Sequence, residues 1–177
     1  MSDEGHYSIA TAGQRQDFVN LWGEFLREAR KGGSSLHADD YNLKVFRDYF
    51  DAYATGGLRG LTIFWRPTQD DPPAAILLGG EVYGDPVWHD DHTGTATMWG
   101  IYVLPEHRKL GLGVKMCEMA IPVLRDLGFS GAGTTVRVDN PLGMAMRETL
   151  EKLAMIHPLW MGYVGYWDAA TSSQGED

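Results

Sequence analysis

The chain has 177 residues, 44% of them hydrophobic, a length and composition that suit one domain with a real core and leave no room for two of ordinary size. A net charge of -9 argues against a broad nucleic-acid surface, and a single cysteine, Cys117, excludes an intrachain disulfide or a cysteine metal site. The opening Met1 to His6 has no basic or apolar leader, and no apolar run nears the ~18 residues of a membrane span, so a soluble cytoplasmic setting is expected. The acidic balance serves solubility or a cationic, amine-bearing partner.

Tyr7 to Ala10 reads as a short strand, and Phe18, Leu21, Trp22, Phe25 and Leu26 then recur at helical spacing as far as Arg30. Gly32-Gly33-Ser34-Ser35 ends that helix. A second helical pattern in Leu43, Phe46, Phe50 and Tyr53 stops at Gly56-Gly57. Leu58 to Trp65 and Ala74 to Tyr83 read as a hairpin around the turn-rich Pro67 to Pro73. A polar loop, Asp85 to Thr93, leads to a strand from Thr95 to Leu104. The next helix has the inner face Val114, Cys117, Ile121, Leu124 and Leu127 and ends at Gly128. Pro122 inside it predicts a kink or an early end, because proline removes a hydrogen bond and clashes with the preceding turn. Thr134 to Val138 is a further strand, Asn140-Pro141 opens a helix as N-cap and first helical residue, and Trp160 to Trp167 is a last strand. Residues 169–177 form a polar tail expected to be disordered, which leaves 1–168 as the domain.

Between Trp99 and Gly113 a buried-type strand stops at Pro105 and passes into Arg108-x-x-Gly111-x-Gly113 at the start of a helix. Glycines there let the backbone turn tightly and bring several N–H groups onto one anion, and the helix adds the positive end of its dipole. Arg108 and Lys109 can add charge. A turn that binds the phosphates of a nucleotide belongs between a strand end and a helix start, which is where this one lies.

The element order and this turn resemble the GNAT superfamily of acetyl-CoA-dependent N-acetyltransferases. The family pattern, a strand, proline, then (Arg or Gln)-x-x-Gly-x-(Gly or Ala), stands here as Ile101 to Gly113, and Leu150-Glu151-Lys152-Leu153-Ala154-Met155 is similar to its Tyr-Glu-Lys-Leu-Gly-Phe. The resemblance implies one α/β domain, with a mixed, mostly antiparallel sheet of six to seven strands and helices on both faces. It implies that acetyl-CoA binds with its pyrophosphate on Arg108, Lys109, Leu110, Gly111, Leu112 and Gly113. The pantetheine arm is then expected to pair with Ile101, Tyr102 and Val103, with Asn140 bordering the same cleft where two parallel strands diverge. The implied reaction is acetyl transfer to a primary amine, on a small molecule or a protein, by direct attack in a ternary complex.

The position matching the tyrosine that many members use as general acid is Leu150, which cannot give a proton, and the strand ending at Leu104 offers only Thr95 and Thr97 where some members carry a glutamate. Glu81 and His92 are the candidate bases, with a solvent-facing strand carboxylate the favoured reading of Glu81. Tyr163 or Tyr166 is an alternative acid. His89-Asp90-Asp91-His92 carries metal-type ligands, but adjacent ligands in a polar loop rarely converge, and no metal is expected. His37, Asp39 and Asp40 read as a helix cap beside the acceptor region. The alternative function is a catalytically weak or inactive GNAT-fold protein serving as a CoA-binding or protein-interaction module. Action on aminoacyl-tRNA is disfavoured by the negative charge, and a homodimer is left open.

Overall fold

The computed structural model describes residues 5–31, 40–82 and 94–134, with shorter pieces at 144–145, 147–148, 151, 157–159 and 162–166. Seven strands form one sheet: β1 (His6–Ile9), β2 (Gly60–Arg66), β3 (Ala75–Gly80), β4 (Thr95–Val103), β5 (Gly131–Thr134), β6 (His157–Leu159) and β7 (Gly162–Tyr166). Their order across the sheet is β1-β2-β3-β4-β5-β7-β6, and β4–β5 is the parallel pair among antiparallel neighbours. The sheet is therefore mixed, as a single crossover helix between β4 and β5 requires.

Two helices precede β2, α1 (Arg15–Lys31) and α2 (Asp40–Thr55), and a third, α3 (Leu112–Asp126), links β4 to β5. Alternation along the strands sorts their side chains onto two faces. Phe64, Ile76, Leu78 and Tyr102 pack beneath Phe18, Trp22, Leu26, Phe46 and Phe50 of α1 and α2. Leu61, Ile63, Leu77 and Ala96 pack against Leu112, Met116, Ala120 and Leu124 of α3. β3 is buried on both faces throughout, which explains its unbroken apolar run. Each fully buried large side chain contributes about 1.5–3 kcal/mol of transfer free energy, so these two layers hold the sheet flat against its helices.

Several elements depart from the sequence reading. The buried stripe of α3 is Leu112, Met116, Ala120 and Leu124, whereas Val114, Cys117, Ile121 and Leu127 are only partly buried. Both sets are apolar at helical spacing, so periodicity alone left the rotation of the helix underdetermined. α3 also continues through Pro122 to Asp126 with no early end, and Pro122 is exposed. β5 begins at Gly131, upstream of the expected Thr134, because its neighbours impose extended structure on a Gly-Ala-Gly sequence of poor strand propensity. The short strand β6 before β7 was not foreseen. The expected segments at 135–138 and 140–141, the polar loop 85–93 and the tail 169–177 lie outside the described residues.

Candidate functional site

β4 lies at the centre of the sheet, yet residues 97–101 are all partly exposed, in contrast to β3 beside them. Its pairing with β5 covers only Thr95↔Gly131, Ala96↔Ala132 and Thr97↔Gly133. At the last rung the Thr134 hydroxyl donates to the Met98 carbonyl at 3.1 Å. From there to Val103 the β5 side of β4 has no ladder partner among the described residues. Ile101, Tyr102 and Val103, the expected partners of an amide-bearing arm, belong to this open stretch.

On its other side β4 carries a bulge. Leu78 pairs with Gly100 and Gly79 with Met98, leaving Trp99 as the extra residue. Trp99 and Gly100 consequently both face α1 and α2: Trp99 packs with Phe46 and Tyr49, and a Cβ on Gly100 would stand 3.3 Å from Trp22 and Phe25. A bulge bends its strand and increases local twist, so it re-aims the half of β4 that leads to the glycine turn.

Beyond β4 a single 3-10 turn, Pro105–His107, delivers the chain to Arg108 in extended conformation. Two left-handed residues follow, Lys109 at φ 67° and Gly111 at φ 74°. Gly113 takes no positive φ and occupies the first turn of α3, so of the two motif glycines Gly111 is the turning one. Lys109 is the unforeseen member. An L-residue held left-handed stores about 1–3 kcal/mol of strain, a cost that concentrates at functional sites.

Gly111 is the N-cap of α3 and no side chain caps it, nor does any acidic residue stand in the first turn. The first intrahelical bond runs from Lys115 N–H to the Gly111 carbonyl at 3.1 Å. The amides of Leu112, Gly113 and Val114 precede it and have no acceptor within the helix. A Cβ added at Gly111 would find nothing within 4 Å among the described residues. Open space in front of uncapped amides at a helix N-terminus fits a phosphate group.

Arg108 does not face that space as a free charge. Its Nη2 meets Glu28 Oε2 of α1 at 2.6 Å, and its Nε donates to the Val103 carbonyl at 2.9 Å. Glu28 Oε2 also accepts from the Tyr102 hydroxyl at 3.2 Å. The hydrogen bond from Arg108 holds the Glu28 carboxyl below its ordinary range. Burial, then Glu28, pushes the Tyr102 phenol up to about 12, which keeps it a donor. A groove of about 430 Å³ opens beside this cluster, lined by Glu24, Arg27, Glu28 and Lys31 of α1 with Leu104 and Arg108 opposite. Lys109 is exposed and makes no ion pair among the described residues, so it is the motif's available cation.

At the far end of the β4 opening, Glu81 follows β3. Arg59 reaches its carboxylate from both the guanidinium and the backbone N–H, each at 3.3 Å, and holds it below the usual carboxylate range. The Tyr53 hydroxyl donates to the Glu81 carbonyl at 2.7 Å and accepts from Trp99 Nε1 at 3.2 Å. Sequence reasoning placed Tyr53 in a helical core stripe and missed this polar rung, because the bulge that turns Trp99 toward α2 leaves no local signal. Desolvation of its sulfur pushes the Cys117 thiol up to about 12, which keeps it protonated at neutral pH. His92, Asn140 and Leu150, together with His37, Asp39 and the 89–92 cluster, lie outside the described residues, and Asp40 is the first residue of α2. Among the described residues no group of histidine, cysteine or carboxylate side chains could hold a metal ion, and no helix is long and apolar enough to cross a membrane.

The sequence matches the acetyltransferase (GNAT) family over residues 46–148, a span that includes the hairpin, β4, the glycine turn and α3. No curated protein sequence matches the chain. Among solved structures, the fold is similar to the paia N-acetyltransferase of Thermoplasma acidophilum in complex with coenzyme A, at 11% identity and TM-score 0.64 over 93% of this chain and 97% of that one. It is also similar to a GNAT family acetyltransferase of Brucella melitensis in complex with acetyl-CoA, at 12% identity and TM-score 0.59 over 93% and 97% of the two chains. The ribosomal-protein-S18-alanine N-acetyltransferase of Escherichia coli aligns at 19% identity and TM-score 0.56 over 91% of this chain and 90% of its own. At such identities the likeness is one of fold.

Proposed function

The chain belongs to the GNAT acetyltransferase family, and from that premise we propose that it moves an acetyl group from acetyl-CoA to a primary amine by direct attack, with no covalent enzyme intermediate. The observation that carries this reading is the uncapped α3 N-terminus at Gly111, standing at the end of a β4 edge that, among the described residues, has no partner beyond Thr97. Two of the similar structures hold coenzyme A or acetyl-CoA, and the pattern of donors here fits the same group.

Acetyl-CoA, when bound, supplies the activated thioester carbonyl. The chain's own work is mostly done by its backbone. The amides of Leu112, Gly113 and Val114 and the helix dipole receive the pyrophosphate, and Lys109 adds charge at the rim. The β5-side backbone groups of Ile101 and the Val103 N–H take the amides of the arm as a further strand would, while Tyr102 pairs with Ile76 of β3 and the Val103 carbonyl accepts from Arg108. A β4 amide near the bulge then polarises the carbonyl and holds the developing oxyanion, the term that weighs most in acyl transfer.

Proton handling rests on fewer residues. Glu81 and His92 are the candidate acceptors of the amine proton. Glu81 sits at the right end of β4, but the Arg59 partner makes it a weaker base than a free carboxylate and a better electrostatic anchor for the Arg59 side chain. Leu150 offers nothing to the departing thiolate, whose own modest basicity lets it leave without an enzyme acid. The Arg59–Glu81 pair also favours a second reading, a coenzyme-binding module with weak or no turnover.

Thermal shift with acetyl-CoA, followed by thiol release across a broad panel of primary amines, tests the two. Stabilisation by acetyl-CoA with amine-dependent thiol release supports the enzyme. Stabilisation without release on any amine favours the module, and the absence of stabilisation overturns both.

A further inference from the structure

Arg108 opens the glycine motif, and on sequence grounds its charge is read as a phosphate contact. The geometry gives that charge a different use. Its Nη2 is 2.6 Å from Glu28 Oε2 and its Nε is 2.9 Å from the Val103 carbonyl. The guanidinium carbon lies 5.7 Å from the Tyr102 ring centroid, and the Tyr102 hydroxyl shares the same Glu28 oxygen at 3.2 Å. One side chain thus joins three pieces: the end of β4, the start of the turn, and the last turn of α1.

We propose that Glu28 is a positioning residue for the phosphate-binding turn, acting through Arg108, and that Arg108 braces the turn and does not itself neutralise phosphate. Two features support this. A bare carboxylate beside a site for a multiply charged anion would repel it, whereas a carboxylate at hydrogen-bond distance from Arg108 cancels a charge and leaves a rigid link. Among the described residues no other side-chain hydrogen bond or ion pair holds the turn: Lys109 and Leu110 are exposed, and its other ties are the Leu104 N–H to the Ala74 carbonyl at 2.9 Å, local bonds within 104–108, the packing of Leu104 against both core layers, and the Trp65–His107 ring contact. A turn with two left-handed residues needs such a brace to keep its amides convergent. In sequence, Glu28 stands three and seven residues after Phe25 and Leu21, on the margin of the buried helical face.

The inference rests on coenzyme binding as proposed above, and calorimetric titration with coenzyme A separates the two. The proteins are wild type, Glu28→Ala, Glu28→Gln, Arg108→Ala and the double alanine variant, each with its melting temperature recorded. If the wild type binds no coenzyme A, the proposed function falls and this inference with it. With wild-type binding in hand, a brace predicts that Glu28→Ala and Arg108→Ala each weaken affinity about tenfold and that the double variant is no worse than either, the non-additivity of residues acting as a unit. It also predicts that Glu28→Gln, which keeps an acceptor for Arg108 and Tyr102, recovers most of the loss. Melting temperatures within a few degrees of wild type would assign the loss to the site and not to unfolding. The opposite sign overturns the proposal: if Arg108 contacts phosphate directly, removing Glu28 frees its charge, so Glu28→Ala binds as well as or better than wild type while Arg108→Ala binds worse. A loss that tracks melting temperature across all four variants, with no recovery in Glu28→Gln, overturns it too.

Discussion

Gly111→Ala separates the two demands placed on the turn, its shape and its openness. The backbone there is left-handed at φ 74°, where an L-residue costs about 1–2 kcal/mol. Alanine also loses less conformational freedom on folding than glycine, which returns about 0.4–1 kcal/mol. The net cost to the fold is therefore about 1 kcal/mol, a fall of a few degrees in melting temperature for a chain of this size. No steric term is added, because no described residue lies within 4 Å of the new Cβ, and Lys109 at φ 67° already shows that the turn accepts a Cβ in this conformation. Binding responds differently. If phosphate oxygens occupy that open space, the methyl displaces them from one or two backbone donors. Hydrogen bonds to a charged group contribute about 1.5–3 kcal/mol each, so affinity should fall by about tenfold to a few hundredfold. Calorimetry with coenzyme A alongside a thermal melt reads both numbers. A melting temperature lowered by a few degrees with affinity unchanged within about twofold would show that no anion sits against Gly111.

Gly113→Val should weaken coenzyme A binding more than Arg108→Ala does, since it brings a branched side chain up to the first-turn amides themselves; equal affinity for Gly113→Val and wild type refutes the cradle. Stability should depend on pH through Glu28. Its carboxyl is held below the ordinary range in the folded state, so its contribution is present at neutral pH and is lost as pH falls through the folded value; chemical denaturation should find Glu28→Gln less stable than wild type at pH 7, with the gap closing only in acid below the ordinary carboxylate range. Glu81 is likewise depressed by Arg59, so a rate that rises through neutral pH should report the amine and persist in Glu81→Gln, with no falling limb from an enzyme acid. A bell-shaped wild-type profile would instead assign an acid, with Tyr163 or Tyr166 of β7 as the first to substitute. Leu150→Tyr should raise turnover if the missing acid limits it; a tenfold gain corresponds to about 1.4 kcal/mol of transition-state stabilisation.

The glycine turn was legible in the sequence because its signals are local: an apolar strand, Pro105, and glycines at the head of a helix. The two early helices were legible for the same reason, since Phe18, Leu21, Trp22 and Leu26 announce a face by spacing alone. What failed was whatever depends on partners far along the chain. The rotation of α3 was misjudged because Val114, Cys117 and Ile121 are as apolar as the residues that the sheet actually buries. β5 is a strand at Gly131 because β4 and β7 flank it, and nothing in Gly-Ala-Gly says so. The Arg108–Glu28 pair spans 80 residues, and its one hint is a glutamate on the margin of an apolar stripe. Trp99's extra place in β4 follows from register with β3 and has no sequence mark.

A crystal structure with coenzyme A tests the central claim most directly. Pyrophosphate oxygens should lie within hydrogen-bond distance of the amides of Leu112, Gly113 and Val114, with the arm along Ile101 to Val103 and the Arg108 guanidinium still on Glu28. Coenzyme A bound elsewhere on the chain, or β4 paired with β5 without a gap as far as Val103, would contradict it.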